Sequence, residues 1–155
     1  VNGLSWMDHE FSTSALGAGQ TGWDWFALQL DDGSELMLFT LLREDGKRDA
    51  FDSATLIDAD GSVKTLSQAD FSVKYGGTWR SPHSGGVYPA SWTIVIPGEN
   101  LALEVRPRFN DQEHNLSFTY WEGAVTVTGA RKGETVQGSG YVELTGYAHS
   151  MQGEF

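Results

Sequence analysis

Gly22-Trp23-Asp24-Trp25-Phe26-Ala27-Leu28-Gln29-Leu30 runs directly into Asp31-Asp32-Gly33, and a second apolar run opens at Glu35. Period-2 alternation puts Trp23, Trp25 and Ala27 on one side of a strand and Phe26, Leu28 and Leu30 on the other. Both sides are apolar. One is therefore expected to line a cavity and the other to pack against a covering element or a second domain. Asp-Gly supplies the positive φ that a tight hairpin turn demands, so the unit is strand, acidic-glycine turn, strand. It recurs at Glu44-Asp45-Gly46 and Asp58-Ala59-Asp60-Gly61, and Pro97-Gly98-Glu99-Asn100 and Ala130-Arg131-Lys132-Gly133 punctuate later hairpins. Working outward, the pattern predicts strands over 5–11, 22–30, 35–42, 49–57, 63–66, 71–75, 91–96, 101–107, 116–128 and 134–147. The last two are long and are expected to bend or bulge at Gly123 and Gly140, where no side chain stands. No segment of ten residues carries a period of 3.6, and Gln68-Ala69-Asp70 is at most one helical turn. About ten short strands joined by hairpins indicate an all-β meander, closed as a barrel or packed as a sandwich.

A chain of 155 residues reads as one domain over 1–155. The formal net charge is −11, which repels nucleic acid and anionic membrane surfaces. There are no cysteines, so disulfides, thiolate nucleophiles and cysteine-based zinc or iron–sulfur sites are excluded. No run of 18 apolar residues exists, so no transmembrane segment is expected. The chain opens on Val1 and becomes strand-like by about Leu4, which reads as a processed or excised piece with a domain or signal expected upstream.

Three clusters carry candidate chemistry. In Trp6-Met7-Asp8-His9-Glu10-Phe11, alternation puts Trp6, Asp8 and Glu10 on one face. Were that face to point inward, burial would raise the carboxyl pKa and make Asp8 a general acid. The competing reading is a carboxylate that bonds backbone N–H groups. The stretch Thr78–Pro89 mixes Trp79, Arg80, His83, glycines and Tyr88 in one long loop expected at a barrel mouth. There His83 is either a proton shuttle or simply solvated. Asp111-Gln112-Glu113-His114 resembles a ligand set, but adjacent residues in a turn rarely converge on one ion, so no metal is expected. The aromatic set Trp6, Trp23, Trp25, Trp79, Tyr88, Tyr120 and Trp121 is read as the binding wall for a hydrophobic molecule, with simple core packing as the alternative. Such a wall favours a cation by roughly 0.5–2 kcal/mol per well-placed ring.

Four ordered motifs resemble one family: Trp6–Phe11, Gly22–Gly33, Tyr120-Trp121-Glu122-Gly123-Ala124-Val125 and Gly140-Tyr141-Val142-Glu143-Leu144-Thr145-Gly146-Tyr147. The family is that of carotenoid 1,2-hydratase (hydroxyneurosporene synthase) and AttH-like proteins, and the motifs resemble its second lipocalin-like domain. The resemblance implies a single antiparallel, lipocalin-like (calycin-like) barrel of about ten strands. It implies an N-terminal sister domain, no cofactor, and a periplasmic or secreted setting in bacteria. It also implies a hydro-lyase or cyclase that protonates a C=C bond of an isoprenoid-type substrate. Asp8 would be the acid, and His9 or Glu10 would orient it or a water. This chain has Trp6 where the hydratases have Tyr, and Glu10 where they have Asn. The other expectation is a non-catalytic module that binds a hydrophobic small molecule or packs against a partner domain. A homodimer through an exposed edge or face completes the expectations.

Overall fold

The computed structural model describes residues 3, 5–9 and 16–153. Twelve strands follow one another: β1 (Gln20–Leu30), β2 (Glu35–Arg43), β3 (Ser53–Ile57), β4 (Val63–Ser67), β5 (Ser72–Tyr75), β6 (Thr78–Arg80), β7 (Val87–Pro89), β8 (Trp92–Ile96), β9 (Leu101–Pro107), β10 (Glu113–Asn115), β11 (Thr119–Arg131) and β12 (Glu134–Leu144). A single 3-10 turn, Pro97–Glu99, separates β8 from β9. Among the described residues no helix is long and apolar enough to cross a membrane.

One ten-stranded antiparallel sheet runs in the order β4-β3-β2-β1-β12-β11-β9-β8-β5, with β10 added to β11; β6 and β7 pair separately. The fold is all-β and lipocalin-like. The hairpin logic explains the order, since most neighbours in the sheet are neighbours in sequence. Three pairings join strands apart in sequence: β9 with β11, β5 with β8, and β1 with β12, the last antiparallel from Asp24↔Leu144 to Leu30↔Gly138 and bringing the two halves of the chain together. Gly140 permits that approach: a Cβ there would lie 2.1 Å from the Ala27 carbonyl oxygen. The expected bulges at Gly123 and Gly140 are absent, for the β11–β12 register runs unbroken through both. The irregularity falls instead in β1–β2, between Gln20 and Gly22.

The inner face buries Phe26, Leu28, Leu36, Leu38, Ile94, Leu103, Val125 and Val142 in one cluster with Trp92 and Trp121. These side chains fill the interior, so the open oily cavity expected of the barrel is not what the sheet encloses. At one end Arg131, buried in the β11–β12 turn, pairs with Asp32 of the β1–β2 turn at 3.3 Å and with Asp58 of the β3–β4 turn. Two acidic-glycine hairpins and one basic hairpin are thereby tied together.

The wall is interrupted. β3 pairs with β2 over residues 35–39 alone, and residues 40–43 of β2 extend past it. The Leu41 N–H there donates to the Asp52 side chain at 2.8 Å instead of to a strand. At the other end of the sheet, β5 pairs with β8, and among the described residues no ladder joins it to β4. Residues 68–71 link the two edges, and so short a link keeps them close. The result is a seam between the end of β2 and β5. The expected strand 49–57 loses its first half to this arrangement, because the Asp49 carboxylate accepts the Phe51 N–H at 2.9 Å and turns the chain.

Candidate functional site: a buried carboxyl at the seam

Asp24 occupies the inner face of β1, in phase with Phe26 and Leu28, and is 0% exposed. Its ladder neighbours are Thr40 on β2 and Leu144 on β12. β12 ends at Leu144, and Gly146 turns the chain at φ 83°. A Cβ on Gly146 would meet the Thr21 carbonyl at 2.6 Å, so glycine is needed for both reasons. The turn lays Tyr147 over Asp24, with its hydroxyl 2.9 and 3.1 Å from the two carboxyl oxygens. The Tyr75 phenol, arriving from β5 on the far side of the seam, also interacts with Asp24. Thr40 Oγ1 is buried near that phenol but makes no well-formed hydrogen bond.

Burial pushes the Asp24 carboxyl up to about 7; the Tyr147 and Tyr75 hydroxyls restrain the rise, and the nearby Asp52 adds to it. Burial also drives both phenols upward, so they stay protonated donors. A carboxyl poised between its two forms near neutrality is suited to giving and taking a proton.

Beside this group lies a cleft of about 380 Å³, with Leu42, Val73 and Pro89 as apolar wall, Thr40, Tyr75 and Tyr147 as polar wall, and Arg43, Lys47 and Arg48 along it. Tyr147 is held by a stack of rings: its centroid lies 5.5 Å from Tyr88, which is 6.0 Å from Trp79. Tyr88 in turn donates to Glu113 at 2.8 Å. Burial acts to raise the Glu113 carboxyl, but hydrogen bonds from Ser81, Ser84, Asn115 and Tyr88 outweigh it and hold the group at about 2. Glu113 is thus an ionised anchor, and Asp24 is its opposite.

The predicted site residues separate into two sets. Tyr88 and Trp121 lie inside, with the Trp121 Nε1–H donating to the Asn110 carbonyl at 2.7 Å, and Trp79 is half-buried against Tyr88. Trp6, Trp23, Trp25 and Tyr120 are half-buried on the outer face. Trp6 meets Trp25 edge-on at 6.3 Å, Trp23 donates to Glu143 at 2.6 Å, and Tyr120 stacks on His114 at 5.0 Å. Residues 5–9 carry no strand, contrary to the expected first strand. Asp8 is exposed and accepts the Trp6 indole N–H at 3.0 Å, so it is not aimed into the interior. His9 is exposed beside it, and Glu10 lies outside the described residues. The acidic turn also disperses: Asp111 faces His83 at 3.3 Å, while Glu113 serves the ring stack. Asp24 carried a readable signal, an acid in phase with Phe26, Leu28 and Leu30 on the apolar side of an alternating strand.

Comparison with known proteins places this geometry. The profile of the AttH-like family matches residues 1–147, and the chain belongs to that family. Dehydratase asqC of Emericella nidulans is 25% identical over 149 residues, covering 91% of this chain and 42% of its own length. The crystal structure of a protein assigned as an AttH from Nitrosomonas europaea is 35% identical over 88% of this chain and 42% of its own, with a TM-score of 0.77. Kievitone hydratase from Nectria haematococca, 22% identical over 84% of this chain and 40% of its own at a TM-score of 0.69, shares the fold. The chain therefore spans well under half the length of these relatives.

Proposed function

We propose that this chain is a hydratase- or dehydratase-like domain that adds water to, or removes it from, a hydrophobic substrate, with Asp24 as the acid–base group. The observation that carries the reading is the fully buried carboxyl, hydrogen-bonded by Tyr147, beside an apolar cleft. In the dehydrating direction the protonated Asp24 gives its proton to the substrate hydroxyl and the C–O bond breaks, releasing water. The carboxylate then takes a proton from the neighbouring carbon as the C=C bond forms. Hydration reverses each step. Tyr147 keeps the carboxyl oriented, and the cleft's apolar wall keeps bulk water from competing. The dehydratase among the relatives supports this chemistry. An isoprenoid-type molecule with one hydroxyl or one isolated double bond matches the cleft's mixture of apolar wall and polar base.

A second reading retains Asp8 as the acid, with His9 orienting it or a water. The observation favouring it is an outer cleft of about 320 Å³ between Trp6, Tyr141 and Arg108, floored by Ala27, Ala124 and Gly140. Trp6, bonded to Asp8, forms one wall. That face carries the half-buried Trp23 and Trp25 and would suit a sister domain, with which the greater length of the relatives is consistent. Covered by it, Asp8 would be desolvated.

The test is turnover of a panel of hydroxylated and unsaturated terpenoids, read by mass as gain or loss of one water. Asp24→Asn is expected to lower turnover by roughly 10²–10⁴-fold while circular dichroism stays unchanged, and Asp8→Asn to leave it intact. The reverse pattern moves the chemistry to the outer face. Ligand binding without turnover in any variant makes the chain a binding module.

A further inference from the structure

We infer that Asp24 is reached through the side of the barrel, by way of the seam between β2 and β5, and that segment 44–52 is a strap that closes this port. The inference rests on Asp24 being the reacting group, yet it concerns the route to it. Three observations converge. The hydrogen-bonded wall stops at the seam, since residues 40–43 of β2 pair with β1 but not with β3, and β5 has β8 as its partner. The cleft is lined from both sides of that gap, by Thr40 and Leu42 of β2 and by Val73 and Tyr75 of β5. The segment that leaves the ladder at the gap crosses it and is fastened on the far side by one side chain.

That side chain is Arg48. Its Nη1 donates to the Phe71 carbonyl at 3.0 Å, its guanidinium lies 5.1 Å from the centre of the Phe71 ring, and its Nε is 3.6 Å from Asp52. Phe71 is buried immediately before β5, so Arg48 joins the strap to the opposite rim. Other fastenings, Arg43 to Asp49 at 2.9 Å, Gln20 to Asp49 at 2.9 Å and the Leu41 N–H to Asp52 at 2.8 Å, anchor the strap to the β1–β2 side. The strap is thus hinged on one rim and latched on the other. Arg48 is half-exposed, so its latch is weak enough to open at ordinary temperature. Lys47 and Gly46 lie on the cleft without spanning it.

The chain contains no cysteine, which permits a direct test. In Asp24→Cys the introduced thiol is the sole target for methyl methanethiosulfonate, and its modification rate reports access from solvent. Adding Arg48→Ala is expected to raise that rate between about three- and tenfold, the scale of one charge-assisted hydrogen bond at a half-exposed site. Adding Leu42→Trp or Val73→Trp, which narrows the port, is expected to slow it by a similar factor. An unchanged rate with Arg48→Ala overturns the latch, and an unchanged rate with both tryptophans overturns the lateral route. A rate that rises with urea as steeply as global unfolding also overturns the route. Should Asp24→Cys fail to fold, Thr40→Cys, across the ladder and on the cleft, serves as the reporter. Labelling does not depend on turnover, so the port stands or falls separately from the chemistry.

Discussion

Asp24 sits between two tryptophans, and the three side chains leave β1 alternately, the acid inward and both indoles outward. Its protonation is coupled to folding. An unfolded aspartate titrates near ~3.9, whereas burial pushes Asp24 up to about 7 in the folded protein. Between those values the folded state holds a proton the unfolded state has released. This group's contribution to stability is therefore fully present below about pH 4 and is lost as pH rises through about 7. Asp24→Asn should remove that slope from a series of urea melts. Tyr147→Phe takes away a hydrogen bond that favours the carboxylate. The Asp24 midpoint, followed by carboxyl NMR, should then move further up, by on the order of one unit, and any acid limb in a pH–rate profile should follow it. The identity of the buried acid was legible in the quoted stretch, because alternation alone puts residue 24 with Phe26. Its partner was not, since Tyr147 reaches it through a turn at Gly146 that lies 122 positions after Asp24.

Among the elements, the β6–β7 hairpin lies where one long loop was expected, and β10 where a turn between strands was expected. Three-residue strands leave no period to read, and what fixes these is side-chain chemistry: four donors converging on Glu113. Glu113→Ala would strand the Ser81, Ser84 and Tyr88 hydroxyls, at a cost of about 1–3 kcal/mol. It should also loosen Tyr147 through the Tyr88 ring, which a rise in exchange of the 78–89 amides would show. The long strands were legible for the opposite reason, since ten or more alternating residues closed by a glycine turn admit few alternatives. Gly140 was singled out, but for a bulge it does not make. Its role is contact, and Gly140→Ala should cost more than about 2 kcal/mol by forcing β12 away from the Ala27 carbonyl. The same substitution at Gly61, where nothing lies within 4 Å of the added Cβ, tests instead the price of its φ of 82°.

At the scale of the whole molecule, the sheet has a centre and two ends. β1, β12 and β11 are paired on both sides, while β4 and β5 each have one partner. Amide exchange should therefore be slowest along Trp25–Leu28 and Val125–Val127 and fastest at the outer amides of β4 and β5, with residues 41–43 closer to the rim than to the centre. The hairpin order was readable from turn chemistry, but the closure was not. Whether the two edge strands of a sheet meet depends on curvature and register, and here no ladder joins β4 to β5 among the described residues.

An incomplete barrel keeps two free strand margins, and such margins invite pairing with other chains. β5 offers four residues, including the exposed Lys74, and β4 five, four of them exposed, Val63 and Lys64 among these. Templates this brief, each bearing a lysine, are poor seeds for a growing cross-β stack. These edges are therefore guarded against a neighbour's backbone by their own shortness and charge. Replacing both lysines with valine would be the change most apt to turn this protein into fibrils.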